Sequence, residues 1–74
     1  MTASELTPGE EGKIVEFQDE HLAILLNELG LFVGEVIQLT TRAPLGDPIC
    51  IQTRETMVSI RTVDASQIIV KKLA

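Results

Sequence analysis

Arg42-Ala43-Pro44-Leu45-Gly46-Asp47-Pro48 lies between two runs of alternating apolar residues, and it can be neither helix nor central strand. Pro44 and Pro48 fix their own φ, supply no backbone N–H, and bias the residue before each towards extended conformation. Gly46 falls where a chain reversal most needs positive φ. Val36-Ile37-Gln38-Leu39-Thr40-Thr41 precedes the segment and Ile49-Cys50-Ile51-Gln52-Thr53 follows it, both reading as short β-branched strands. The segment is therefore a shaped loop joining two strands of a small sheet. Loops on rigid scaffolds are where small β domains carry their contact surfaces.

Working outward, Thr7-Pro8-Gly9-Glu10 suits a type II turn, and Lys13-Ile14-Val15-Glu16-Phe17 reads as a first strand. Asp19 or Glu20 opens a helix, Asp19 being the better N-cap. Leu22, Leu25, Leu26 and Leu29 recur at helical spacing and predict one apolar face, with Gly30 closing the helix at C′ and Leu31 supplying the accompanying apolar contact. Ile24 lies nearly opposite Leu22, on the side of Glu28, so it is either covered by a loop or exposed to a partner. Beyond the loop, the expected strands are 49–54, 57–61 and 68–71, following one over 35–42. In the fourth strand Val58 and Ile60 face one way, Met57 and Ser59 the other. Residues 62–66 read as a helical turn capped by Thr62. Five short strands at close turn spacing predict a mainly β chain, a small, strongly bent antiparallel barrel with one inserted short helix, forming one domain over residues 1–74.

With 74 residues the chain has room for one core, and a domain of this size buries only roughly 60% of its unfolded surface. Phe17 and Phe32 are the only aromatic residues, so that core must be built from Ile, Leu and Val. A single cysteine, Cys50, excludes an internal disulfide. No stretch approaches the roughly 20 apolar residues of a membrane span. The first residues carry neither a basic start nor an apolar run, which predicts a cytoplasmic protein without direct membrane insertion. The net charge is −5: eight acids stand against Lys13 in residues 1–35, and three acids against five bases in 36–74. That balance, with so few aromatics, predicts no nucleic-acid partner.

Chemistry-bearing constellations are sparse. Cys50 is the only thiol and His21 the only imidazole, and Cys50 between two isoleucines reads as a buried, inert side chain. Asp19, Glu20 and His21 are adjacent at a helix start, where acids are favoured by the helix dipole. With Cys50 they form a weak candidate set for Fe2+ or another divalent transition metal. No glycine cluster follows a strand to cradle phosphate, and no acid pair suggests a hydrolase, so neither a catalytic residue nor a cofactor is predicted.

Three stretches resemble the FeoA family of ferrous iron transport accessory proteins: residues 7–14, Leu26-Asn27-Glu28-Leu29-Gly30-Leu31-Phe32-Val33-Gly34, and Arg42-Ala43-Pro44-Leu45-Gly46-Asp47-Pro48-Ile49. Residues 57–65 and 68–70 are similar to that family's final strands. The resemblance implies an SH3-like barrel and a cytoplasmic accessory role beside FeoB, the membrane ferrous iron transporter with a GTPase domain, which would recruit it to the membrane's inner face. The family often carries basic residues where this chain has Ile24 and Leu25, and a proline where it has Val33. Contact at that helix is then apolar rather than electrostatic. The expected partner-binding residues are Ile24, Leu25, Pro44, Leu45, Asp47 and Pro48, with the alternative that Pro44, Gly46 and Pro48 only shape the turn. Direct divalent-metal binding is the competing reading, and self-association through residues 68–71 or Ile24 a third.

Overall fold

A computed structural model describes residues 1–73. A short 3-10 turn, Ala3–Glu5, leads into strand β1 (Glu11–Phe17), helix α1 (Glu20–Glu28), β2 (Val36–Arg42), β3 (Ile49–Gln52), β4 (Met57–Ile60), the one-turn helix α2 (Thr62–Ala65) and β5 (Ile68–Leu73). All pairings are antiparallel, and the sheet order is β4-β3-β2-β1-β5. The strands fall where the alternation predicts them, with boundaries shifted. β1 starts two residues earlier, at Glu11, β3 stops at Gln52, and β5 runs on to Leu73.

Two register shifts bend this sheet. One lies between Ile14 and Glu16 where β1 pairs β5, the other between Leu39 and Thr41 where β2 pairs β3. An extra residue in one strand increases local twist and lets a short sheet curl around a core. Leu6, Ile14, Leu26, Leu31, Ile37, Leu39, Ile49, Ile51 and Ile68 fill that core, completely buried. Both phenylalanines stay outside it, Phe17 packing against its edge and Phe32 exposed.

Helix α1 begins as its capping residue requires: the Asp19 carboxylate accepts the His21 N–H at 2.8 Å and the Leu22 N–H at 3.2 Å. It ends in a Schellman motif. The Leu31 N–H donates to Leu26 O at 2.8 Å, the Gly30 N–H to Asn27 O at 3.1 Å, and Gly30 takes φ +97°. Leu26 and Leu31, the pair such a motif brings together, are both buried. The predicted four-leucine face is narrower than its periodicity suggests. Only Leu26 is buried and Leu22 partly so, while Leu25 and Leu29 remain substantially exposed. A nine-residue helix lying on a curved sheet touches it along one i, i+4 seam, and its flanking leucines stay in solvent.

The second correction concerns α2. Its N-cap is Arg61, which makes no side-chain cap bond, and Thr62 is the first helical residue. Asp47, far off in sequence, supplies the missing acceptor.

Candidate partner-binding surfaces

The loop at 43–48 is built from its own hydrogen bonds outward. The Ala43 N–H donates to Pro48 O at 3.0 Å and the Gly46 N–H to Ala43 O at 2.8 Å, with Gly46 at φ +96° and a cis Asp47–Pro48 peptide. The Asp47 carboxylate then accepts the Thr62 N–H and the Thr62 hydroxyl, each at 2.5 Å. The same hydroxyl lies 2.8 Å from Gly46 O, so its one proton is shared between the two acceptors. These bonds, the hydroxyl's first and the backbone N–H's second, hold the Asp47 carboxyl below its ordinary range. The loop is thereby latched to the start of α2, and an orphan helix N–H is satisfied. Leu45, at 98% exposure, projects from this latched frame with no intramolecular packing.

On the other side of the loop, Arg42 turns its guanidinium to the N-terminal segment. It donates to Ser4 O at 2.8 Å and Leu6 O at 3.1 Å. A second tie joins the first turn to β5. The Glu10 carboxylate accepts the Thr7 N–H and hydroxyl and meets Lys72 Nζ at 2.5 Å. Lys72 first, and the Thr7 donors after it, lower the Glu10 pKa to about 2.

Ile24 is 61% exposed, which settles its placement: no loop covers it. Leu25 beside it is half-exposed, and Leu29, Phe32 and Val33, just after the helix, are exposed as well. Next to Phe32, an open recess of about 320 Å³ lies between Gly30, Glu35 and the residues Thr53, Arg54, Glu55 and Thr56. Leu29, Phe32 and Val33 are additions to the sequence-derived set. The spacing predicts Leu29 on the core face, and nothing in a single sequence marks which side of a short helix the sheet will reach.

The candidates thus divide into two groups. Pro44, Leu45, Asp47 and Pro48 sit together on the loop, all exposed. Ile24 and Leu25 sit on α1, whose following turn enters β2 at Val36, whereas the loop leaves β2 at Arg42. Seven residues of strand separate these ends by roughly 20 Å. Gly46 and the cis Asp47–Pro48 peptide shape the turn, while Pro44 and Pro48 are themselves exposed.

Among the described residues no three His, Cys, Asp or Glu side chains come together in a way that could hold a metal ion. Asp19, Glu20 and His21 are exposed at the start of α1, with Asp19 engaged as its cap, and Cys50 lies in β3. Cys50 is not fully buried as expected: it alternates with the buried Ile49 and Ile51 and is only partly covered. No helix among the described residues is long and apolar enough to cross a membrane.

A five-stranded, strongly bent antiparallel sheet wrapped on an aliphatic core, with one helix inserted after the first strand, is a small SH3-like barrel. Comparison with known proteins narrows this class. The FeoA domain model matches residues 1–72, and the chain belongs to that family. It is similar to the FeoA protein from Chlorobium tepidum, at 31% identity and a TM-score of 0.92, covering 100% of this chain and 71% of that one. The zinc-complexed FeoA of Stenotrophomonas maltophilia, described as a prokaryotic SH3 domain protein, is 30% identical with a TM-score of 0.82, covering 96% and 89%. A manganese-dependent transcriptional repressor shares the fold, with a TM-score of 0.87 at 15% identity, and the match covers 99% of this chain and 41% of the repressor. No curated protein sequence matches the chain.

Proposed function

We propose that this chain is a non-catalytic, cytoplasmic accessory protein of ferrous iron uptake, acting by contact with the cytosolic GTPase region of a FeoB-type membrane transporter. Family membership supports the iron-uptake setting, as does the description of the Stenotrophomonas relative as a candidate activating factor of ferrous iron transport. The observation that carries the contact reading is the uncovered apolar surface of Ile24, Leu25, Leu29, Phe32 and Val33 on a domain of only 74 residues. Small domains seldom leave this many large apolar side chains exposed on one short helix and the turn after it unless something covers them. The latched loop, presenting Leu45, is the second contact. Iron is then the transporter's cargo, and the accessory protein works through its surface.

A pull-down with the transporter's cytosolic region, comparing wild type, Ile24→Asp and Leu45→Asp, tests this. Loss of capture by Ile24→Asp places the interface on α1, and loss by Leu45→Asp places it on the loop. Equal retention of all three proteins removes both surfaces and the proposal with them.

A further inference from the structure

The sheet has two edges, and they are treated differently. On β5, residues 1 and 2 cover the edge: Thr2 forms a bridge with Ile69, and the Val70 N–H donates to Met1 O at 2.9 Å. On β4, the edge is open. The Thr53 N–H donates to Thr56 O at 2.8 Å, making that the bonded pair that closes the β3–β4 hairpin. Antiparallel pairs alternate between bonded and non-bonded, and the register here is unbroken from Gln52–Met57 to Ile49–Ile60. Val58 and Ile60 therefore bond β3, and Met57 and Ser59 turn their N–H and C=O groups away from the sheet. Among the described residues, no other backbone or side-chain group hydrogen-bonds to either. Both side chains are exposed, Met57 at 58%. Met57-Val58-Ser59-Ile60 also lacks the lysine, proline or bulge with which natural edge strands are blunted.

We infer that β4 is a self-association edge, pairing antiparallel with β4 of a second copy across a two-fold axis at Val58. Centring the axis there puts Met57 opposite Ser59 of the second copy, and Ser59 opposite its Met57, so every outward-facing backbone group meets a partner of the right kind. The same register brings Glu55, in the turn just before β4, to the end of the ribbon where Arg61 follows β4 of the second copy, twice by symmetry. Moving the axis to Met57 or to Ser59 leaves one symmetric bonded pair and separates these charges. Arg61 reaches Asp64 at 3.3 Å within its own chain, but the guanidinium is largely exposed, so the exchange of partners costs little. The backbone at Arg61 is extended, with φ −75° and ψ 148°, and continues the line of β4. Backbone pairing supplies the affinity and the Glu55–Arg61 pairs select the register and the occupant.

Sedimentation of the full chain between about 10 µM and 1 mM tests this, the range suited to a small edge interface. Wild type is expected to dimerise with rising concentration. Glu55→Arg and Arg61→Glu each place like charges across the axis and are expected to stay monomeric. An equimolar mixture of the two restores both opposite-charge pairs and is expected to form heterodimers. Both positions are exposed, and far-ultraviolet circular dichroism confirms that each variant is folded. A wild type that stays monomeric overturns the inference, as does a dimer indifferent to either substitution or a mixture that fails to associate.

Discussion

Replacing Thr62 with valine isolates the latch between the 43–48 loop and α2. Valine keeps the β-branched shape and the backbone N–H to Asp47, and removes only the hydroxyl that Gly46 O and Asp47 share. One hydroxyl proton means one net hydrogen bond, of about 1 kcal/mol. For a domain of this size that loss lowers the melting temperature by about 4–8 °C. The second consequence is local. The Thr62 hydroxyl is the main cause of the lowered Asp47 pKa, so in Thr62→Val that pKa rises towards the ordinary value near pH 4, with the backbone N–H retaining part of the shift. Because the folded-state pKa is depressed, the contribution of Asp47 to stability is complete above its unfolded value and disappears as pH falls through the folded one. The variant therefore loses less stability than wild type on acidification. Thermal melts over pH, with the Asp47 carboxyl followed by NMR, give both quantities. An Asp47 pKa unchanged by the substitution would refute the latch.

Other outcomes follow from the packing. Leu26→Ala empties the one fully buried position on α1 and should cost about 2–5 kcal/mol in denaturant unfolding, whereas Leu25→Ala, half-exposed, should cost under about 1 kcal/mol. Gly30→Ala forces a Cβ into a left-handed backbone and to within 3.2 Å of Thr56 Cγ2, so about 1–2 kcal/mol should be lost in the same assay. Acidification from about pH 5 to pH 2 should destabilise the fold in part through Glu10, whose pKa of about 2 lies below its unfolded value, and Glu10→Gln should flatten that dependence in pH-resolved melts.

Much of the architecture was legible because it rests on local chemistry. The Asp19 cap, the Gly30 terminus with Leu31 behind it, and the Pro44–Pro48 loop each declare themselves by residue type at a fixed offset. The alternation in 57–60 likewise placed Val58 and Ile60 inward and Met57 and Ser59 outward. What escaped depends on tertiary placement. Leucines 25 and 29 satisfy the helical period as well as 22 and 26 do, and only the curvature of the sheet determines which pair it reaches. Thr62 reads as a cap because its own hydroxyl is the local option, yet Asp47, fifteen residues away, supplies the acceptor. The candidate contacts show the same division. The loop residues were recognised from their sequence, while Phe32 and Val33 became candidates only once the turn after α1 proved to be uncovered.

The most direct test of the account is the dissociation constant for the transporter's cytosolic region, measured by calorimetry for wild type and Ile24→Asp. Ile24 is exposed and supports no core contact, so the substitution leaves stability within about 0.5 kcal/mol. Burying a large aliphatic side chain in an interface is worth about 1.5–3 kcal/mol, so the account predicts affinity at least about tenfold weaker in the variant. Equal dissociation constants for the two proteins would contradict it.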